Sequence, residues 1–151
     1  HVTQVFQLSA IMLLAFCSFH VLPYSSSNLV QLCAHETQHF TNHILTVALS
    51  YGGRSEILEA VKRLINDCVP IEKIDERLFS RYLYTANIPD PDLVIRTSGE
   101  KRISNFLLWQ CAYSELVFID TMWPDFARLD FENALREYHR RERRFGATGA
   151  G

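Results

Sequence analysis

The sequence predicts an α/β domain with a mainly parallel central sheet flanked by helices. Two observations lead to this prediction: short apolar runs recur along the chain, and stretches with helical spacing of apolar residues stand between them. Strands that alternate with helices are typical of parallel sheets, because a parallel connection needs a crossover long enough to hold a helix. With 151 residues, of which 48% are hydrophobic, the chain is long enough for one domain with its own core.

The first half of the folded region reads as strand, turn and helix. Residues 45–49 form the first predicted strand, and a glycine turn follows it. Apolar residues then recur at steps of three and four, which predicts an amphipathic helix over 57–65 with Glu56 on its polar side. We expect Ser55 to be the N-cap and Pro70 to bound the far end. A second amphipathic helical stretch is predicted over 71–84.

The second half of the chain continues the alternation. Residues 92–95 form the next predicted strand, and polar side chains gather at its carboxyl end. We predict a buried helix over 104–113, a third strand over 116–119 and a charged C-terminal helix over 131–144. Ligands of parallel sheets bind beyond the carboxyl ends of the strands, so we expect the functional site there.

Charge divides the chain unevenly. The first charged residue is Glu36, and the charge-free run 8–19 is too short for a comfortable membrane span. A buried core segment and a signal-peptide core are the two interpretations of that run. We assign 1–35 as an apolar segment, 36–146 as the folded part and 147–151 as a flexible tail. Because the chain starts with His1, we expect its natural beginning to lie upstream.

Composition excludes some partners. A formal net charge of −2 gives no global basic field that would attract nucleic acid or anionic lipid, so any anion site must be local. The four cysteines are widely spaced, form no C-x-x-C pair and are few for a chain that can build its own core. We therefore expect no nucleic-acid partner and a reducing, cytoplasmic location.

An anion site is predicted directly after the strand 92–95. The window contains two arginines, three hydroxyl residues and one glycine: Arg96, Thr97, Ser98, Gly99, Arg102 and Ser104. Guanidinium groups match phosphate oxygens, and a helix that opens near Ser104 would add free backbone N–H groups. This combination is typical of a diphosphate site. The alternative is a solvated loop whose arginines pair with Glu100.

Two further features are weaker on spacing alone. Gly52 and Gly53, which precede Arg54, permit close approach of the backbone to an anion, but they equally suit a tight strand-to-helix turn. Glu115 immediately precedes the third predicted strand. Its carboxylate can hold Mg²⁺ against substrate phosphates, while a solvent-facing carboxylate at the strand boundary is the alternative.

A zinc site is a remote alternative. His35, Glu36 and His39 form an H-E-x-x-H string, which on a helix places two imidazoles on one face with the glutamate as base. His43 extends that face, and Glu59 lies far enough downstream to be a third ligand. Because a pattern with only three fixed positions arises often by chance, zinc metallopeptidase chemistry ranks last among our hypotheses.

Several segments together resemble the cis-prenyltransferases, with the undecaprenyl diphosphate synthases as the nearest type. The resemblance is carried by DLVIRTSGEKRISNFLLWQ at 92–110, YSEL at 113–116 and WPDF at 123–126. It extends to LSYGGR at 49–54 and RERRFG at 141–146. The resemblance implies an undecaprenyl diphosphate synthase-like fold of which the N-terminal part is missing from this sequence.

The resemblance also implies an activity and a set of site residues. The family condenses isopentenyl diphosphate onto an allylic diphosphate, usually farnesyl diphosphate, with Mg²⁺, and forms a cis-polyprenyl diphosphate for lipid-carrier synthesis. By resemblance, Arg96, Arg102 and Ser104 bind the diphosphate of isopentenyl diphosphate. Glu115 would help to hold Mg²⁺ across the interface of a homodimer. Arg144 and Gly146, the family's terminal Arg-x-Gly, would also bind substrate.

One departure from the family pattern limits what the chain is expected to do alone. The family's Asp-Gly-Asn loop, whose aspartate holds Mg²⁺ beside the allylic diphosphate, does not occur in this sequence. We therefore expect a fragment or a truncated gene product with weak or no activity by itself. A non-catalytic partner subunit that completes the site of another chain is the alternative. Contact with a membrane through the lipid product is also expected.

Overall fold

The structure is a computed structural model, and it describes residues 12–17, 32, 35–39 and 43–141. The chain divides into two units, His1–Tyr51 and Gly52–Gly151. In the first unit, strand β1 (Met12–Cys17) pairs in parallel with strand β2 (Ile44–Leu49), with Met12 opposite Ile44. Strand β2 confirms the strand predicted at 45–49. Strand β1 lies inside the charge-free run 8–19, which favours a segment of the sheet over a signal-peptide core.

The second unit contains the remaining helices and strands. They are α1 (Gly53–Asn66), a 3-10 helix (Ile71–Lys73), α2 (Glu76–Ser80), β3 (Leu93–Arg96), β4 (Glu115–Phe118), a 3-10 helix (Trp123–Asp125) and α3 (Arg128–Arg140). Strands β3 and β4 are parallel, and α3 packs against β4. These elements confirm the α/β class. The strands predicted at 92–95 and 116–119 are correct to within one residue at each end.

Helix α1 is capped by a loop that is remote in sequence. The N–H of Gly53 donates to Asn105 O at 2.7 Å, and the N–H of Arg54 donates to Asn105 Oδ1 at 2.9 Å. The helix begins at Gly53, and its N-cap residue is Gly52, which has no side chain that could accept a hydrogen bond. The predicted N-cap at Ser55 was therefore wrong. Asn105 accepts from the unpaired N–H groups at the true start of the helix.

The buried face of α1 also differs from the prediction. Gly53, Glu56, Ala60 and Leu64 are buried, whereas Leu58, Val61 and Ile65 are 61%, 40% and 70% exposed. A Cβ on Gly53 would lie 2.8 Å from Leu108 Cγ, so the missing side chain allows the loop after β3 to pack directly against the helix. Packing of that loop, rather than hydropathy, decides which face of α1 is buried, and the predicted polar position of Glu56 was wrong.

The buried face holds a carboxylate in a hydrogen-bonded network. Glu56 is 1% exposed and Gln110 is 2% exposed. The Gln110 amide nitrogen lies 3.1 Å from Glu56 Oε2 and 2.9 Å from Thr85 Oγ1, and the N–H of Tyr84 donates to Glu56 Oε1 at 2.8 Å. Buried carboxylates require such donors because desolvation otherwise destabilises them. This network, the Glu56 network, joins α1, the turn at 84–85 and the loop after β3.

The helical stretch predicted over 71–84 is confirmed only in part, as a 3-10 helix and the short α2, and the helix predicted over 104–113 was wrong. In the first, Asp75 is an N-cap with extended backbone, and its Oδ1 accepts from the Leu78 N–H at 2.7 Å. That cap starts α2 and separates it from the preceding 3-10 helix. In the second, Ser104, Asn105 and Leu107 have φ of 47°, 66° and 42°, which a right-handed helix does not allow. Residues 104–113 form turns, so no helix N-terminus opens at Ser104.

Helix α3 starts earlier than the predicted 131–144. The Asp130 carboxylate accepts from the Ala127 N–H at 2.9 Å and from the Thr121 hydroxyl at 3.0 Å, which fixes the helix start near Arg128. Arg144 and Gly146 lie outside the described residues. Among the helices that the structure describes, none combines the length and the apolar composition required to cross a bilayer.

We predict that Gly53→Ala destabilises the chain. The added Cβ would lie 2.8 Å from Leu108 Cγ and 3.0 Å from Leu108 N, and backbone atoms cannot move aside without displacing the loop. We expect the free energy of unfolding to fall by about 1–3 kcal/mol in urea denaturation. Ser55→Ala, at an exposed position of the same helical turn, is the matched control, and we expect it to change stability by less than about 0.5 kcal/mol. Equal effects would contradict the packing role of Gly53.

We predict that Gln110→Leu also destabilises the chain, because it leaves the buried Glu56 carboxylate without its amide donor. The expected loss in the free energy of unfolding is about 1–3 kcal/mol. Glu56→Gln serves as the comparison: its amide oxygen still accepts from the Tyr84 N–H, so its loss should be smaller. Unchanged stability of Gln110→Leu would show that the Glu56 network does not hold the loop.

Candidate diphosphate site

A cavity of about 350 Å³ lies beside the carboxyl ends of β3 and β4. Six apolar side chains from the strands and the following loop form most of its wall, among them Phe106 and Phe118. The other lining residues are Arg96, Arg102 and Ser104. The structure thus brings together the three residues predicted to bind the diphosphate. They adjoin one apolar cavity, at the edge of the sheet where the ligand was expected.

A tight loop between the two arginines fixes their placement. Ser98 and Gly99 have φ of 75° and 69°, and their N–H groups donate to Thr121 O and Ile119 O at 2.9 Å each. A Cβ on Gly99 would lie 3.2 Å from Asp120 Oδ1. The loop is therefore fastened to the segment after β4. Both N–H groups are already bonded, so neither is free to bind an anion.

The two arginines differ in their electrostatic environment. Arg102 pairs with the Glu100 carboxylate, and the two side chains are 62% and 42% exposed. An exposed pair of this kind contributes little free energy, so an incoming diphosphate can replace Glu100 on the guanidinium. Arg96 has no hydrogen bond or ion pair to a side chain within the described ranges. The solvated-loop alternative therefore applies to Arg102 and not to Arg96.

The glycine turn before Arg54 serves packing. Gly52 has extended backbone at φ −151°, and a Cβ there would lie 2.8 Å from Asn105 Nδ2. The N–H groups of Gly53 and Arg54 are taken by Asn105, as described above. Of the two interpretations left open by the sequence, the geometry favours the tight turn over an anion-binding loop. The turn contributes to the site by holding the loop that carries Ser104.

Three residues that support the site were missed by sequence reasoning. Asn105 and Gln110 stand at the two ends of the apolar run FLLW and hold it in place, and Glu56 is the buried partner of Gln110. A polar residue at each end of a run that was predicted to be a buried helix was the available signal. Nothing in local spacing marked Glu56, since a glutamate in the first turn of a helix is ordinary.

Glu115 lies away from the arginines. It opens β4 and stands opposite Leu93, whereas Arg96 stands opposite Phe118 at the other end of the strand pair. Three residues along a strand span about 10 Å. Within one chain, the structure does not bring Glu115 to the cluster of Arg96, Arg102 and Ser104.

The Glu115 carboxylate has one engaged and one open oxygen. Arg141 Nη1 donates to Glu115 Oε2 at 2.8 Å, and no hydrogen bond reaches Oε1 from the residues described. Mg²⁺ commonly takes one or two carboxylates and completes its shell with phosphate oxygens and water. No group of three or more metal-ligating side chains occurs in the described part of the chain. A single carboxylate with one open oxygen is compatible with this mode of Mg²⁺ binding.

The zinc alternative receives no support from the geometry. Residues 35–37 are helical and residues 38–39 form a turn, so the helix does not continue to His39 and the two imidazoles do not share a helix face. Glu59, the proposed third ligand, pairs with Lys62 Nζ at 2.8 Å.

Comparisons with known proteins identify the family. The undecaprenyl diphosphate synthase (Prenyltransf) family model matches residues 3–146. A tritrans,polycis-undecaprenyl-diphosphate synthase (geranylgeranyl-diphosphate specific) from Pyrococcus horikoshii is 54% identical over 130 residues, which are 83% of this chain and 49% of that protein. An isoprenyl transferase from Aquifex aeolicus is 53% identical over 119 residues, which are 79% of this chain and 51% of that protein.

A solved structure is similar in fold. The crystal structure of lavandulyl diphosphate synthase from Lavandula x intermedia, in complex with dimethylallyl diphosphate, matches with a TM-score of 0.87 and 32% identity. The match covers 93% of this chain and 63% of that chain. This chain spans about half the length of the curated relatives it matches. The resemblance drawn from the motifs is confirmed: the chain belongs to the undecaprenyl diphosphate synthase family of prenyltransferases.

Proposed function

We propose that this chain supplies the isopentenyl diphosphate half of a cis-prenyltransferase site. The observation that carries the proposal is the cavity wall, where two guanidinium groups and a hydroxyl adjoin a pocket of apolar side chains. Its volume of about 350 Å³ is within the range of small-ligand pockets. A diphosphate with a short apolar tail matches both parts: the phosphates fit the guanidinium groups, and the tail fits the apolar wall.

The residues of the chain act by binding and orienting the isopentenyl unit. Arg96 and Arg102 neutralise the diphosphate, and the Ser104 hydroxyl donates to a phosphate oxygen. With the diphosphate fixed, the apolar wall directs the tail toward the allylic substrate, so the reacting carbons meet in one orientation. Mg²⁺, when bound, neutralises charge on the diphosphate groups. Condensation forms a carbon–carbon bond between the isopentenyl unit and the allylic carbon and breaks the allylic carbon–oxygen bond, which releases diphosphate. Loss of a proton from the isopentenyl unit gives the new double bond, and the prenyl chain is one unit longer.

The metal role of Glu115 requires a second copy of the chain. Glu115 and the arginine cluster lie at opposite ends of the β3–β4 pair, so one metal ion cannot join them within a single chain. In a homodimer, Glu115 of one copy serves the diphosphate held by the other copy. This arrangement is supported by the register of the strands and by the open Oε1 of Glu115.

In the proposed enzyme, residues outside this sequence bind the allylic diphosphate. The Asp-Gly-Asn motif does not occur here, so this chain alone is weakly active or inactive. The motif resemblance favours farnesyl diphosphate as the allylic substrate, whereas relatives named geranylgeranyl-diphosphate specific favour the longer one. The product is a cis-polyprenyl diphosphate. We place the reaction in the cytoplasm, with membrane contact through this lipid product.

A non-catalytic partner subunit is the second candidate function. It is favoured by the open Oε1 of Glu115, since such a chain can lend this carboxylate to another chain's site. The two candidates differ in whether the isopentenyl diphosphate pocket of this chain is used.

The pocket is tested by Arg102→Ala. Removing one charge-assisted donor should weaken isopentenyl diphosphate binding by about 1.5–3 kcal/mol, roughly 10- to 150-fold, in isothermal titration calorimetry. Lys101→Ala is the matched control, because it removes an exposed positive charge one residue away that does not line the cavity. An equal loss of affinity in both variants would show that only the net charge of the loop matters, and not a specific contact of Arg102. Unchanged affinity in Arg102→Ala would refute the pocket and favour the partner-subunit role.

The shared metal site is tested by mixing two variants. Glu115→Gln and Arg102→Ala chains should each lose Mg²⁺-dependent binding of isopentenyl diphosphate. Mixed dimers contain one site with both residues intact, so an equilibrated mixture should recover about a quarter of the wild-type sites. Each variant measured alone is the control. No recovery, in a mixture shown to contain mixed dimers, would contradict a site built from two chains.

A further inference from the structure

The last residue that the structure describes, Arg141, contacts Glu115 as well as its own helix. Its Nη1 donates to Glu115 Oε2 at 2.8 Å and to the backbone oxygen Leu116 O at 2.9 Å. Its Nη2 donates to the Glu137 carboxylate one helical turn earlier. Two hydrogen bonds raise the pKa of Arg141 above its usual value: the one to Glu115 has the larger effect, and the one to Glu137 the next largest. We call this group the Arg141 clasp.

The clasp restricts how the Glu115 carboxylate can point. Oε2 is held by a guanidinium that is itself fixed to the backbone of β4, so rotation of the carboxylate about its terminal bond breaks a charge-assisted hydrogen bond. Oε1 keeps no hydrogen-bond partner among residues 43–141. The side chain of Glu115 is 24% exposed, and Oε1 is not among the buried unpaired oxygen atoms of the described residues, so a ligand can reach it.

Glu137 offsets the repulsion that an arginine would exert on a nearby metal ion. A guanidinium on a metal ligand repels the incoming metal ion, because like charges at short range raise the free energy. Here the guanidinium is shared by two carboxylates, so the clasp carries a net charge of −1. Arg141 can therefore orient Glu115 without cancelling the negative potential that attracts a divalent cation.

We propose that Arg141 is a positioning residue, which holds Glu115 Oε2 so that Oε1 faces a divalent cation, with Glu137 offsetting its charge. The inference rests on the proposed metal role of Glu115. Partners that orient metal ligands commonly contribute 10- to 100-fold to metal affinity. Arg141 also fastens the end of α3 to β4, so the test must separate orientation of the carboxylate from attachment of the helix.

The test measures Mn²⁺ in place of Mg²⁺, by the electron paramagnetic resonance signal of the free ion, in the presence of isopentenyl diphosphate. Arg141→Gln should weaken Mn²⁺ binding roughly 10- to 100-fold. Arg140→Gln is the matched control: it removes the same charge from the neighbouring residue, which makes no contact with Glu115, and Mn²⁺ affinity should stay within about twofold of the parent. Arg141→Lys should recover part of the affinity, because an ammonium reaches Glu115 but cannot bridge all three acceptors.

Binding of isopentenyl diphosphate without metal provides the readout that a merely structural role would change. Arg96 and Arg102 lie at the opposite end of the strand pair, so Arg141→Gln should leave metal-free binding unchanged. Loss of metal-free binding would show that Arg141 only maintains the fold, and would overturn the proposal. Should Arg141→Gln fail to fold, Glu137→Gln serves instead. It leaves Glu115 untouched and should weaken Mn²⁺ binding, most clearly at low salt.

Glu115→Gln separates this inference from the proposed function. Loss of Mn²⁺ binding in Glu115→Gln together with Arg141→Gln supports both. Loss in Glu115→Gln with equal or tighter binding in Arg141→Gln overturns the positioning role and leaves the metal role intact. Unchanged binding in Glu115→Gln overturns the metal role itself, and the clasp would then be only an attachment of α3 to β4.

Discussion

The buried carboxylate of Glu56 is the constraint on which the rest of the second unit depends. A charge that is 1% exposed is tolerated only when donors surround it, and those donors come from the Tyr84 backbone and the Gln110 amide. Meeting this requirement brings the loop after β3 against α1. The same loop carries Arg102, Ser104 and the apolar wall of the cavity. The placement of the candidate site therefore follows from the hydrogen bonds of the buried Glu56, which lies in the first turn of α1.

The loop is held in a conformation that is unfavourable by itself. Ser104, Asn105 and Leu107 each have left-handed backbone, which costs free energy for residues other than glycine. The hydrogen bonds that Asn105 accepts from the start of α1 offset part of that cost, and so does the close packing that Gly53 permits. Strain of this kind is commonly found where a protein fixes functional side chains. Here the left-handed backbone lies between the Ser104 hydroxyl, which adjoins the cavity, and the apolar run that follows Ser104 in the sequence.

Sequence reasoning succeeded where the signal is local and failed where it is not. Strands β2, β3 and β4 were predictable because a short apolar run bounded by turn residues is typical of a buried strand. The residues 104–113 were misassigned because their apolar character is that of a buried helix, while the competing interaction, Asn105 with α1, is 51 residues away in sequence. Arg96, Arg102 and Ser104 were predicted from their chemistry and from the family resemblance, and the structure places all three beside one cavity. Neither signal predicted that Arg141 engages Glu115, because that contact depends on where α3 ends.

The register of β3 and β4 has a consequence for how the proposed enzyme responds to its own abundance. In the proposed dimer, each chain gives its arginines to one site and its carboxylate to the other, so no chain owns a complete site. Occupancy of the metal then depends on the concentration of the protein as well as that of the metal and the substrate. Dilution below the dissociation constant of the dimer would silence both sites together, without any change in the fold of either chain.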